Sequence, residues 1–107
     1  MYSIWRYAAA DNGVGDTNDL ALCAAQGAGK HIEVCSLQIV NAHASTATEV
    51  MLKSGSTVIW RLRMPAAGTP VQFTFNPPLR CNSNEGLNFQ CETASTVFVS
   101  AQGTVSP

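Results

Sequence analysis

The sequence predicts an all-β chain: a single-domain antiparallel β-sandwich or jelly roll of about seven or eight short strands with an extended N-terminal arm. Three observations carry this. Short runs in which apolar and polar residues alternate recur along the chain. Clusters of Gly, Pro, Asn and Asp separate them at regular spacing. No stretch repeats apolar residues with the period of a helix.

Taken in order, Tyr2 to Ala10 reads as an arm on which Trp5 and Tyr7 share one face, opposite Tyr2, Ile4 and Arg6. Asp11 to Asp19, rich in Gly, Asp and Asn, is a loop. Leu20 to Gln26 reads as a short strand with Leu20 and Leu22 inward. It ends at Gly27-Ala28-Gly29-Lys30, a turn whose glycines suit positive φ. The next strand spans His31 to Asn41. Its inward set begins as Ile32 and Val34 and continues as Leu37 and Ile39, a change of phase that one extra residue near Cys35-Ser36 would produce as a β-bulge.

Thr46 to Met64 specifies a hairpin by alternation on both sides of Ser54-Gly55-Ser56. With Lys53 facing Thr57, Val50 meets Trp60 and Leu52 meets Val58 on the inner face, and Glu49 lies opposite Arg61 on the outer face. Trp60 is then core. Pro65 to Pro70 forms a connection with room for at most one helical turn. Val71 to Phe75 is a strand closed by Asn76-Pro77-Pro78, since proline has no N–H to give a ladder. Leu87 to Cys91 alternates again, and Ser95 to Ala101 is the last strand, with Val97, Val99 and Ala101 inward and Phe98 outward. The chain thus divides into arm and loop over 1–19, sandwich over 20–103 and tail over 104–107.

A chain of 107 residues can bury a substantial core as one domain. Only 12% of its residues are charged, about half the usual share, so part of the exterior is expected to pack against other proteins. Six Lys and Arg against seven Asp and Glu give a net charge of −1, which supplies no footprint for nucleic acid or an anionic membrane. No apolar run approaches the roughly 20 residues of a membrane-spanning helix. The first residues lack a basic segment and are interrupted at Arg6, so no signal peptide is expected.

Cys23 and Cys35 flank the Gly27–Lys30 turn, and Cys81 and Cys91 flank the Asn82–Gly86 loop. Four cysteines allow three pairings, and either flanking pair could lie across a hairpin. In a cytosolic protein the same residues read as buried, reduced thiols.

Little in the chain points to catalysis. His31, Cys35, Cys23 and His43 lack the close spacing of a metal site. No GxSxG elbow is present, and the Gly27–Lys30 turn lacks phosphate-loop spacing and a following helix. Glu33, Glu49 and Glu92 alternate with core residues and face outward, as a solvated sheet requires. No catalytic, cofactor-binding or metal-ligating residue is therefore expected, and the protein reads as a non-enzyme. The arm offers the candidate interface: Tyr2, Ile4, Trp5 and Tyr7 cannot all be buried on one face of their own domain. Asn82, Asn84 and Glu85 are the candidate lining of a loop-end ligand site.

From Gln26 to Gly103 the order of motifs resembles a group of small tailed-bacteriophage virion proteins. The matching pieces are the Gly29-Lys30 turn, Leu52 to Thr57 (LKSGST), Phe75 to Leu79 (FNPPL), Asn84 to Asn88 (NEGLN) and Thr96 to Gly103 (TVFVSAQG). The resemblance implies a capsid decoration, or cement, protein arranged as a homotrimer on the outer surface of the head. Its partners would be the major capsid protein and itself, with the arm among the interacting surfaces and synthesis in the host cytoplasm. The alternative is a tail or baseplate module for host attachment through a glycan or protein. The four cysteines stand outside the shared pattern.

Overall fold

A computed structural model describes residues 3–9 and 13–107. Tyr2, named above for the arm, lies outside the described residues. Eight strands form: β1 (Ser3–Tyr7), β2 (Leu20–Cys23), β3 (His31–Asn41), β4 (Thr48–Ser54), β5 (Thr57–Met64), β6 (Val71–Arg80), β7 (Leu87–Cys91) and β8 (Val97–Ser106). They make two four-stranded sheets, one ordered β1-β8-β3-β6 and the other β2-β7-β4-β5, with every ladder antiparallel. We call these sheet A and sheet B. Only the β4–β5 hairpin stays within one sheet; each other connection crosses between them, which is the winding of a jelly roll.

Alternation explains why these segments pair in this way. Thr48, Val50, Leu52 and Ser54 of β4 are buried, as are Leu87, Phe89 and Cys91 of β7 and Val97, Val99 and Ala101 of β8. These inner faces pack on Ile32, Val34, Leu37 and Ile39 of β3 to make one core between the sheets. The expected bulge in β3 is present: its register against both β6 and β8 shifts between Val34 and Ser36. Cys35 is the extra residue, and it restores the inward phase for Leu37.

The hairpin has a different register from the expected one, and keeps the expected faces only beyond Ile59. Gly55, at φ 58°, and Ser56 alone form the turn between the paired Ser54 and Thr57. Ile59 then bulges, because Lys53 pairs with Val58 while Leu52 pairs with Trp60. A shorter turn and one bulge each move the register by one residue. Val50 therefore meets Leu62 rather than Trp60, Leu52 meets Trp60 rather than Val58, and Glu49 meets Arg63 rather than Arg61. Beyond the bulge the total shift is two, so Trp60, Leu62 and Met64 keep their faces. Between turn and bulge it is one, so Val58, expected inward, pairs with the outward Lys53, and Thr57 pairs with the buried Ser54. Arg61 still reaches Glu49 diagonally, Nη1 to Oε1, at 3.0 Å.

Other boundaries move for identifiable reasons. β2 ends at Cys23, three residues before Gln26. Pro65 to Gly68 is a turn, not helical, with Ala67 at φ 48°. β6 runs on to Arg80 through Pro77 and Pro78 because it is an edge strand: Thr74 pairs with Ser36 and Leu79 with Val34, and residues 75–78 between them loop out of register. Residues 104–106, expected as tail, continue β8.

The N-terminal segment is not a free arm over its described length. Ser3 to Tyr7 pairs with Val105 to Ala101 of the same chain and becomes the edge of sheet A. Gly103 makes this docking work. It sits between Trp5 and Val34, and a Cβ there would collide with the Glu33 carbonyl oxygen and approach Trp5 Nε1. The missing side chain leaves room for the indole, whose N–H donates to that carbonyl at 3.1 Å.

Candidate interaction surfaces

Of the four arm residues proposed as an interface, Trp5 is buried and Tyr7 packs partly against the core of its own domain. Ile4 points the other way and is 81% exposed. The other exposed large apolar side chain among the described residues is Val71, at 37%. Ile4 lies on β1 and Val71 on β6, the two edge strands of sheet A.

Val71 heads an apolar seam where β6 borders β5, the edge strand of sheet B. Phe73 and Phe75 stack with centroids 6.4 Å apart, and the Trp60 ring meets them edge-on at 5.3 and 6.0 Å. Trp60 was expected in the core. It is only half-buried, because β5 has no further strand beyond it to close the sandwich.

The outer face of sheet A is polar and, across its middle, uncharged. Gln38 pairs with Gln72 on one side and Ser100 on the other; in the next row Ser36 pairs with Thr74 and Gln102. Arg6 pairs with Gln102 and ends that row on β1; Glu33 and Arg80 border the rows at one end, and Val40 and Phe98 at the other. Close by, Cys35 lines a depression of about 290 Å³ with Ile4, Arg6, Gln102 and Thr104.

The loop candidates have internal duties. Asn84 Oδ1 accepts from Gly27 N–H at 3.1 Å, Ser83 Oγ accepts from Gly29 N–H at 2.8 Å, and Asn84 N–H donates to the Lys30 carbonyl at 3.0 Å. Gly27 and Gly29 hold the expected positive φ. Glu85 Oε1 accepts from the buried Ser54 hydroxyl at 2.7 Å and from Asn82 Nδ2 at 3.1 Å. Asn82, Asn84 and Glu85 thus tie two turns together at one end of the sandwich.

A second polar hub escaped sequence reading. Asn41 is fully buried; its Nδ2 donates to the Thr46 and Pro65 carbonyls at 2.9 and 3.2 Å, and its Oδ1 accepts from His43 N–H at 3.1 Å. Each of these bonds replaces water for a group that could not otherwise be buried. Asn41 stands where alternation calls for an apolar inward residue, and that substitution of amide for hydrocarbon is the signal that could have found it.

The histidines do not converge with the thiols on a metal. His31 Nδ1 lies 2.9 Å from the Cys81 carbonyl, and His43 Nδ1 accepts from Ser45 and Thr46 N–H at 3.1 and 3.0 Å. Among the described residues no group of three His, Cys, Asp or Glu side chains is placed to hold an ion. All four cysteines are free. Cys81 and Cys91 are buried, and desolvation pushes both thiols up to about 11; burial raises Cys23 as well.

No family model matches the sequence, and a comparison with curated proteins finds no match. Among solved structures, the chain is similar to the carbohydrate-binding module CBM36 in complex with calcium and xylotriose. The TM-score is 0.55 and the identity 12%, over 92% of this chain and 98% of that one. The EclA C-terminal domain, a sugar-binding protein, aligns with TM-score 0.50 and 11% identity over 99% of this chain and 79% of the other. The Tobacco streak virus coat protein aligns with TM-score 0.48 and 9% identity over 97% of this chain and 84% of its own length. At such identities the likeness to the two sugar-binding structures is one of fold, and it agrees with the strand order: the chain is an eight-stranded jelly roll.

Proposed function

We propose that the protein is a bacteriophage capsid decoration protein, a non-catalytic module that binds the outer surface of the head and stabilises the shell by burying interface. Its partners in this reading are the major capsid protein and further copies of itself, most simply as a homotrimer. The carrying observation is the placement of the two exposed large apolar side chains among the described residues, Ile4 and Val71, on opposite edge strands of one sheet. Edge strands present unpaired N–H and C=O groups, and natural sheets usually guard them with charge. Ile4 and Val71 leave apolar surface beside those groups instead, which suits strand-to-strand and edge-to-shell contact. The motif order from Gln26 to Gly103 supports the same reading, and many copies per particle would turn modest contacts into lasting attachment.

The test is cosedimentation of the purified chain with capsid shells lacking it, beside separated tails. Saturable attachment to shells, with a gain in their heat resistance, is expected. Ile4→Asp and Val71→Asp replace side chains that solvent already reaches, so each should fold and lower shell occupancy. Binding confined to tails or to host cells would replace this reading with that of a tail or baseplate host-attachment module.

A further inference from the structure

Most solvated sheet faces are dotted with Lys and Glu. The two middle rows on the outer face of sheet A carry Gln38, Gln72, Ser100, Ser36, Thr74 and Gln102 instead, with Arg6 the one charge, at the β1 end of the second row. Five of them border a shallow depression of about 120 Å³ floored by Ala101. Ser100 Oγ accepts from Ala9 N–H at 3.1 Å; the other five side chains have no hydrogen-bond partner among the described residues.

The geometry points to a binding site for a neutral oligosaccharide across these strands. Each glutamine offers one acceptor and two donors, and each hydroxyl offers both kinds, which is the inventory that sugar hydroxyls require of a partner. Paired side chains on adjacent strands stand about 5 Å apart and successive rows about 7 Å apart, so the groups form a regular, nearly flat array. An extended chain can meet such an array at several points at once. Six of the seven positions in the two rows are uncharged, Arg6 at the β1 end being the exception. This favours an uncharged ligand, since an ionic one would lose its hydration over Gln38, Gln72, Ser36 and Thr74 without a counter-charge. Phe98, half-buried in the next row beyond Ser100, borders the array with an aromatic ring.

Two other occupants fit less well. A nucleic acid would need cations along its backbone, and only Arg6, at the β1 end of one row, and Arg80, in the row beyond, are at hand. The core of a protein contact draws on aromatic side chains, Met and Arg, and of these only Arg6 lies in the two rows, at the β1 end of one. The proposal does not depend on capsid attachment, which was assigned to the edges of the sheet.

The test is a titration of the isotope-labelled full chain, followed by NMR, with cellohexaose, xylohexaose, maltohexaose and chitohexaose. At least one sugar should shift the side-chain amide signals of Gln38, Gln72 and Gln102 in a saturable way that added salt leaves unchanged. The double variant Gln38→Ala with Gln72→Ala should weaken that binding about tenfold or more, while Lys53→Ala on sheet B should leave it intact. Failure of all four sugars to shift these signals overturns the proposal. So do shifts that map to other surfaces, or undiminished binding by the double variant. Loss of shell occupancy in the double variant without sugar binding would make this face a protein contact, which also overturns it.

Discussion

Sheets A and B are built alike, four antiparallel strands with one face sealed against the other sheet, yet their outer faces differ in kind. On sheet B, Arg61 lies 3.0 Å from Glu49, and Lys53 Nζ donates to Asp19 Oδ1 at 3.0 Å and to Gln90 Oε1 at 3.1 Å. On sheet A the equivalent positions hold amides and hydroxyls that bond almost nothing within the described chain. Both inner faces had to be apolar for the sandwich to close. Neither outer face had to be anything in particular for folding. The charges on sheet B give ordinary solubility and modest cross-strand support, whereas the neutral array on sheet A gives neither. The difference therefore belongs with binding rather than with folding.

The largest effect that tests this division lies on the sealed side of sheet A. Gly103→Ala drives a methyl into the Glu33 carbonyl and crowds the Trp5 indole off its hydrogen bond. We expect a loss of about 4 kcal/mol, about 3 from overpacking and about 1 from the indole bond, measured by denaturant unfolding. A loss below about 1 kcal/mol would mean that β1 is loosely held and could serve as a free arm after all. Within the described structure, β1 and β8 are locked by that one missing side chain.

Gly103 also marks how far the sequence could be read. The strand pattern was legible because alternation is a local signal. So was the bulge at Cys35, because an odd residue between two inward sets has no other explanation in a strand. Docking of β1 on β8 was not legible, since it rests on a glycine meeting a tryptophan nearly a hundred residues away in sequence. The hairpin faces were legible except at Thr57 and Val58, but its register was not: alternation is blind to a shift of two, and turn length with the Ile59 bulge decided it. At the candidate surfaces, the exposure of Ile4 was legible in its pattern, whereas Trp5 was set on the exposed side of the argument because its pocket comes from β3 and β8. The neutral array is composed of residues from three strands. No single segment announces it.

Thiols extend the contrast from inside to outside. Cys91, inside sheet B, and Cys81, beneath the turn cluster, are raised from an ordinary value of 9.0 to about 11 by burial. Unfolded thiols ionise near 9, while the folded ones keep their protons to about 11. Their contribution to stability is therefore complete below that lower value and lost as pH climbs between the two. The loss should be on the order of 2 to 3 kcal/mol for each thiol, seen as a falling unfolding midpoint, and serine at both positions should flatten the alkaline limb. Mass spectrometry after brief alkylation of the native protein should find Cys23 and Cys35 modified and Cys81 and Cys91 spared.

A smaller effect belongs to the charged face. Lys53→Met removes both of its contacts, to Asp19 and to Gln90, while keeping the length of its stem. The Lys53 side chain is 12% exposed, so the pair is better sheltered than most surface bridges. We expect a loss of about 1 kcal/mol that shrinks at high salt, measured by urea unfolding at two ionic strengths. A loss that ignores salt would assign the effect to packing of the stem, and sheet B's charges would then be incidental.

The smallest effect is the one the comparison needs most. Gln38→Ala together with Gln72→Ala should change stability by no more than about 0.5 kcal/mol, because neither amide bonds anything in the described structure and both are exposed. Alanine is a poorer strand former than most, but the ladder hydrogen bonds of β3 and β6 are made by the backbone and survive the change. A substantial loss would show that the glutamines support one another across the sheet, as Glu49 and Arg61 do on the opposite face. The two outer faces would then be alternative ways of stabilising a sheet, one with charges and one with amides. An unchanged unfolding curve leaves the amides with no part in holding the fold together, and leaves recognition as the property that explains why this face is neutral.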